Sequence, residues 1–235
     1  MRLWMESEPA RDLGLIETLA AGVAHEVRNP LNSVQINLSI LEQELRDVVP
    51  DRGAHAFEVL RKIAGEVKRL DDFVAEFLRF ARPPRLNIAR LAVAPLVTEL
   101  TAFIAAEYTK KGVALDVDLQ GEATAWVDGF QLKQALLNLL LNALQATRPG
   151  GHVVVRTSGG EDRLVLAISD DGEGMSSETC EKAFTPFFTT REEGTGLGLP
   201  LVRRIAEQHQ GTIEISSVEG QGTTVTMVFP APAGS

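Results

Sequence analysis

From Leu13 to Phe77 the apolar residues recur with a helical step. Leu13, Ile16, Ala20, Val23 and Val27 advance by threes and fours, and the series resumes as Leu31, Val34, Leu38, Leu41, Leu45 and Val48. Such spacing draws one apolar seam along a helix of a bundle or coiled coil. The successive four-residue steps Val23–Val27–Leu31 form a stutter, which locally unwinds a coil. Pro50-Asp-Arg-Gly53 ends this helix, and a second follows on Phe57, Leu60, Ala64, Val67, Leu70, Val74 and Phe77. Arg82-Pro83-Pro84-Arg85 stops the second helix and marks a boundary. Two helices cannot enclose a core by themselves. The hairpin is therefore predicted to pair with a second copy in a four-helix bundle, the alternative being that it packs on the rest of its own chain.

Beyond the boundary the pattern changes to short β-branched runs: Val113–Leu119, His152–Thr157, Leu164–Ser169, Gly211–Ser216 and Thr223–Phe229. Helical stretches near Leu96–Tyr108, Phe130–Thr147 and Leu199–Gln208 interrupt them. Strands and helices mixed in this way predict an α/β sandwich, with helices on one face of a mixed sheet. The expected domains are 1–85, a helical hairpin, and 86–235, the sandwich.

Composition narrows the partners. The 235 residues carry 23 basic and 32 acidic side chains, a net charge of -9. This leaves no basic footprint for nucleic acid and disfavours anionic lipid. With 44 % hydrophobic and 23 % charged residues the chain can bury a core. The single cysteine, Cys180, excludes an internal disulfide framework and a cysteine-based zinc cluster, which suits a reducing compartment. The first residues are too few and too charged for a signal peptide. The most apolar stretch, Gln134–Ala146, is broken by Asn138 and Asn142 and falls short of the roughly 18 residues of a membrane span. The expectation is a cytoplasmic chain with no membrane segment.

Four clusters carry chemistry. His25-Glu26-Val-Arg-Asn29-Pro30-Leu31 sits in the first helix, with His25 between two seam residues and so facing away from the bundle core. Pro30 cannot donate to the Glu26 carbonyl and kinks the helix there. A neutral imidazole is a nucleophile when a base holds its second nitrogen, and Glu26 is adjacent. Asn29, one turn on, is placed to orient water or an oxyanion. Asn138 and Asn142 lie one turn apart on another helix, where paired amide oxygens suit Mg²⁺ shared with phosphates; two asparagines satisfied in a core are the plainer reading. Asp170-Asp-Gly172-Glu-Gly174 follows a strand, so a carboxylate can accept from an exocyclic amine while glycines bring backbone close to a ligand; a plain turn is the alternative. Gly194-Thr195-Gly196-Leu197-Gly198 runs into a helix that begins near Pro200, an arrangement that offers backbone N–H groups to an anion. It is neither the lysine-bearing phosphate loop nor the dinucleotide fingerprint. Gly220-Gln-Gly222-Thr223 precedes the last strand, where a simple hairpin would also use it.

Taken in order, His25-Glu-x-x-Asn-Pro-Leu, Asn138-x-x-x-Asn142-Ala, Asp170-x-Gly-x-Gly174, Phe184-Thr-Pro-Phe-Phe188, Gly194-x-Gly-x-Gly198 and Gly220-x-Gly-Thr223 resemble the sensor histidine kinases of two-component systems. The resemblance runs from about Gly14 to Pro230, and Thr189-Thr-Arg-Glu-Glu-Gly194 looks like the short lid of the nitrogen-regulation type. It implies a dimerisation and phosphoacceptor hairpin followed by a Bergerat-fold ATP-binding domain shared with gyrase-type ATPases. It further implies that His25 takes the γ-phosphoryl of ATP and passes it to an aspartate of a response-regulator receiver domain. Glu26 would assist as base, and Asn29 would position water if the protein also dephosphorylates the receiver. The implied ATP-binding residues are Asn138, Asn142, Asp170, Gly172, Gly174, Thr195, Gly196, Leu197, Gly198 and Thr223. Asn138 would ligate Mg²⁺ and Asp170 would hold the adenine amine.

Gyrase-type relatives carry a glutamate where this chain has Asn138, a group that cannot activate water, so the resemblance favours transfer to His25 over ATP hydrolysis. The family often has a lysine three residues after the second asparagine. Gln145 stands there, which leaves Arg191 or Arg148 to supply that phosphate contact. Pro83-Pro84 is a hinge candidate. His55, His152 and His209 read as structural or solvated, and Phe184, Phe187 and Phe188 as packing. Two other readings stay open: a non-catalytic, nucleotide-binding dimeric adapter, and an ATPase of the gyrase class.

Overall fold

The computed structural model describes residues 27, 31–43, 54–81, 85–121, 124–159, 163–191 and 194–230. The chain divides into two compact units, Met1–Arg85 and Leu86–Ser235. His25, Glu26, Asn29, the Pro30 kink, the break at 50–53 and the prolines at 83 and 84 lie outside the described residues.

In the first unit, residues 31–43 form helix α1 and Ala54–Ala81 form α2. The buried residues of α2 are Leu60, Val67, Val74 and Ala81, a strict seven-residue repeat. The seam predicted from threes and fours is therefore only partly buried: Ala64 and Leu70 are exposed, as are Val59, Ile63 and Phe73. In α1, Leu31 and Leu38 are half-buried, whereas Val34 and Leu41 of the predicted series are exposed together with Ile36 and Ile40. The reason is geometric. One hairpin can cover a single stripe of each helix, and each helix here carries apolar residues on more than one stripe.

The second unit holds β1 (Ala89–Ala92), α3 (Val93–Lys111), β2 (Ala114–Gln120), β3 (Thr124–Val127), α4 (Gly129–Ala146), β4 (His152–Gly159), β5 (Arg163–Asp170), α5 (Ser177–Lys182), α6 (Gly198–Gln208), β6 (Thr212–Val218) and β7 (Gly222–Pro230). Five strands form one sheet in the order β2-β4-β5-β7-β6. β2 and β4 run parallel and the remaining pairs antiparallel, so the sheet is mixed as predicted. Alternation selects its inner face: Val153, Val155 and Thr157 of β4, Leu164, Leu166 and Ile168 of β5, and Val225, Met227 and Phe229 of β7 are buried. Against this face lie Val97, Leu100 and Ile104 of α3, Leu132, Leu136 and Leu139 of α4, and Leu201, Val202 and Ile205 of α6, all buried. The two-stranded β1-β3 sheet and the short α5 are additions to the predicted elements.

Polar anchors fix how the helices sit. Tyr108, fully buried in α3, donates its hydroxyl to the Leu140 carbonyl at 2.8 Å. Burial pushes the Tyr108 phenol above its ordinary range, and the charge of Asp170 adds to the effect, so it serves as a donor. Lys111 Nζ donates to the carbonyls of Leu144 and Gln145 at 2.7 and 3.0 Å, capping the C-terminal end of α4 with a positive charge. Gly112 adopts the left-handed conformation (φ 73°) that ends α3.

Candidate functional site

Helix α4 starts at an acid. Asp128, buried and extended, accepts the N–H groups of Phe130 and Gln131 at 2.9 and 3.1 Å, the usual bonding of a helix N-cap. Its second oxygen accepts the Asn87 N–H at 2.8 Å, tying the start of the unit to α4. Burial alone would raise the Asp128 carboxyl. The Asn87, Gln131 and Phe130 N–H groups outweigh it and hold the carboxyl below its ordinary value. His209, buried at the end of α6, accepts the Asp128 N–H at Nε2 (2.9 Å) and places Nδ1 2.7 Å from the Ile205 carbonyl. With Nε2 accepting, Nδ1 carries the proton. His209 is thus structural, as its sequence context indicated. His152 is half exposed and pairs with Asp116 at 2.5 Å.

Along α4, Asn138 and Asn142 share one face with Gln145, at steps of four and three residues. Both asparagines are half-buried, and the Nδ2 of Asn138 is buried without a hydrogen-bond partner. An orphaned amide on this face is a cost unless a ligand satisfies it. Amide oxygen and nitrogen can exchange places by a flip, so the group can offer its oxygen to a hard cation. Among the described residues no three His, Cys, Asp or Glu side chains converge on a metal position. A cation at Asn138 would draw its other ligands from phosphates and water, as Mg²⁺ commonly does.

Asp170 ends β5 and pairs with Thr223 of β7. It accepts the Gly172 N–H at 3.0 Å. Burial pushes its carboxyl above the ordinary range, against the lowering by the N–H groups of Gly172 and Thr223 and by the charge of Arg191. The loop that follows is clamped on both sides. A Cβ at Gly172 would lie 2.6 Å from the Ala146 carbonyl oxygen, and the Glu173 N–H donates to that oxygen at 3.2 Å. Gly174 has a left-handed φ of 64°, and a Cβ there would lie 2.0 Å from the Val218 carbonyl oxygen. The Gly220 N–H donates to the Glu173 carbonyl at 2.7 Å. Ser217, which the sequence reading did not single out, accepts the Met175 N–H and contacts the Thr223 hydroxyl, both at 2.8 Å. The Gly220–Thr223 turn is a hairpin, and it also buttresses the Asp170 loop.

The segment from Phe184 to Gly198 closes the site's sequence. The Phe187 N–H donates to the Gly196 carbonyl at 3.0 Å, and Phe187 takes a left-handed φ of 66°, costly for a residue with a Cβ. Phe187 is 54 % exposed. Phe184 is half-buried, with Arg203 of α6 5.7 Å from its ring centre. Leu197 is fully buried and Gly198 begins the 11-residue α6, so Leu197 contributes core contact and only its backbone faces the helix start. Thr195 accepts the Leu197 N–H at 3.2 Å. Arg191 reaches from this segment to α4, donating to Gln145 Oε1 at 2.7 Å and to the Asn142 carbonyl at 3.4 Å. The structure therefore sets the Asp170–Gly174 loop against Ala146 at the end of α4 and against β7 at Thr223, and Arg191 ties the glycine segment to Asn142 and Gln145 of α4.

Comparison with known proteins accords with this geometry. Residues 15–85 match the model of the His Kinase A (phospho-acceptor) domain. Residues 127–233 match the histidine kinase-, DNA gyrase B- and HSP90-like ATPase model. The chain is 32 % identical over 236 residues to sporulation kinase C of Bacillus subtilis (strain 168), covering 100 % of this chain and 53 % of that protein. It is 36 % identical over 215 residues to the sensor histidine kinase ZraS of Escherichia coli (strain K12), covering 90 % and 45 %. It thus spans about half the length of these curated relatives. The crystal structure of full-length ShkA in complex with AMPPNP shares the fold, with a TM-score of 0.76 at 24 % identity over 93 % of this chain and 47 % of that one. Among the described residues no helix is long and apolar enough to cross a membrane.

Proposed function

The chain belongs to the sensor histidine kinases, and from that premise we propose that it autophosphorylates His25 with ATP and passes the phosphoryl group to an aspartate of a response-regulator receiver domain. The observation that carries this reading is the pairing of His25-Glu26-x-x-Asn29-Pro30, within the phosphoacceptor match, with the Asn138, Asn142 and Asp170 constellation of the second unit.

Each residue then has a task. His25 is the nucleophile, Glu26 accepts its ring proton, and Asn29 orients water when the receiver is dephosphorylated. Asp170, an acceptor beside backbone N–H groups, takes the adenine amine, and Gly172 and Gly174 let the base approach. Thr223 helps hold the Asp170 carboxylate. Asn142 supports the phosphates, and the backbone of Thr195, Gly196 and Gly198 offers N–H groups at the start of α6, where Thr195 Oγ1 holds the Leu197 N–H. Asn138 would hold Mg²⁺, which neutralises charge on the phosphates. Positioning and charge neutralisation are the main requirements of phosphoryl transfer. Asn138 cannot act as a base, so attack by water on ATP is slow and transfer to His25 prevails.

Residues 1–85 serve in this reading as the dimerisation and phosphotransfer hairpin, and residues 86–235 as the catalytic domain. The exposed stripe Val59, Ile63, Leu70 and Phe73 on α2 supports pairing with a second copy in a four-helix bundle. Use of ATP and a receiver domain, both part of this proposal, supports a cytoplasmic location for these residues. The test incubates the purified chain with γ-labelled ATP and Mg²⁺ beside His25→Gln. Acid-labile, base-stable label on the wild type and none on the variant is the expected result. Steady phosphate release without label would replace this reading with an ATPase, and binding without turnover would replace it with an adapter.

A further inference from the structure

We propose that Ser217 is the positioning residue for Asp170, holding that carboxylate in place and free to accept an exocyclic amine. The inference rests on the nucleotide-binding reading above and adds a residue which that reading does not use. Sheet register places three side chains in one row. Asp170 of β5 is the partner of Thr223 of β7, and Thr223 is the partner of Ser217 of β6. Side chains alternate along a strand, and Ile168 and Val225, two positions from Asp170 and Thr223, are buried on the inner face. Asp170, Thr223 and Ser217 therefore stand side by side on the face that meets the helices, at one end of the three strands.

The Ser217 hydroxyl is used to capacity. It has one hydrogen to give and two lone pairs to fill. The hydrogen goes to the Gly222 carbonyl at 3.0 Å, because a carbonyl can only accept. One lone pair accepts the Met175 N–H at 2.8 Å. The 2.8 Å contact with Thr223 Oγ1 must then take its hydrogen from Thr223. Each bond acts on Asp170. Met175 follows Gly174 and so pins the far end of the loop that Asp170 begins. Gly222 lies so close that a Cβ there would strike the Asp170 carbonyl, so holding Gly222 also holds the Asp170 backbone. Thr223 gives its backbone N–H to the Asp170 carboxylate. Its hydroxyl hydrogen, drawn to Ser217, does not compete for the same oxygens. Asp170 thus keeps lone pairs for a ligand amine, and removal of Ser217 frees the Thr223 hydroxyl to take them.

The test compares ATP with purine riboside triphosphate, which lacks only the 6-amine, by competition against a fluorescent ATP analogue on the full chain with Mg²⁺. The ratio of the two affinities reports the amine contact, and it does not depend on how much of a variant is folded, because both ligands draw on the same folded fraction. Wild type should prefer ATP by about 10- to 100-fold, the value of a hydrogen bond to a charged acceptor, and Asp170→Ala should erase the preference. Ser217→Ala should lower the ratio by about 3- to 10-fold, the loss of one neutral hydrogen bond, and Ser217→Thr, which keeps the hydroxyl, should retain it. In the Asp170→Ala background Ser217→Ala should not change the ratio further, since the two act as one unit. Equal losses for both ligands in Ser217→Ala would mean that Ser217 only braces the fold, and no loss for either would remove it from the site. A Ser217→Thr ratio as low as that of Ser217→Ala would assign the effect to packing; each of the three overturns the inference. A wild type without preference, or an Asp170→Ala variant that keeps it, would overturn the adenine reading of Asp170 itself, and this inference with it.

Discussion

Removal of the Asp128 carboxylate should expose how the second unit is pinned together. Its two bonds to the first turn of α4 form a helix cap, worth about 1 kcal/mol. The 2.8 Å bond from the Asn87 N–H goes to a buried charged group and is worth about 1.5–3 kcal/mol. Asp128→Ala should therefore cost about 3 kcal/mol, a fall of about 6–12 °C in the melting temperature of a unit of this size. Asp128→Asn keeps one oxygen for the helix and loses most of the Asn87 bond, so it should fall between. The sign of the pH dependence follows from the lowered carboxyl. A depressed folded value means that the stability is fully present above the unfolded value and is lost as pH falls through the folded one. Calorimetric melts of wild type and Asp128→Asn should diverge near neutrality and converge in acid. A gap that persists undiminished at the lowest pH at which the chain still folds, or Asp128→Ala melting with the wild type, would refute the reasoning.

The remaining predictions concern the neighbours of this anchor and the site loop. His209→Phe leaves the Asp128 N–H buried without an acceptor and should cost about 1–3 kcal/mol, whereas His209→Gln, which can still accept, should cost less; denaturant titration separates them. Burial raises the Asp170 carboxyl, so the folded state holds that proton more tightly than the unfolded state. Stability should then fall as pH rises from the ordinary carboxylate range through the raised folded value. Asp170→Asn should abolish that slope in melts recorded against pH and should also weaken ATP binding; an unchanged slope would contradict the assignment. Gly174→Ala meets the Val218 carbonyl as well as a left-handed φ, but Gly220→Ala meets only the φ of 76°, with nothing within 4 Å. The first should lose nucleotide binding and melt well below the second, which should cost about 1–2 kcal/mol.

Much of the second unit was legible along the chain. The strands β4, β5 and β7 alternate cleanly, because one face meets helices and the other does not. The helices α3, α4 and α6 fall on the three helical stretches expected from the chain, whereas the acid that caps α4, Asp128, was not singled out. The β1-β3 sheet was not legible. Its strands are four residues each, β1 is built of Ala, Arg and Leu, and the pairing joins positions more than thirty apart. Ser217 was equally silent, since a lone serine in a strand becomes a brace only when Met175 and Thr223 arrive beside it.

The hairpin draws the same line. Its sequence shows apolar residues at helical spacing, yet spacing cannot say which stripe one chain covers; folding buried Leu60, Val67 and Val74 and left Ile63 and Leu70 outside. The sequence by itself determined the residue types: amides one turn apart, a carboxylate at a strand end, glycines where backbone must approach. These follow from local chemistry and short-range geometry. The tertiary structure alone decided which distant groups share a proton or a charge. Asn87 and His209 meet at Asp128, and Arg191 crosses to Gln145, because sheet pairing and helix packing bring together residues between 41 and 81 positions apart along the chain.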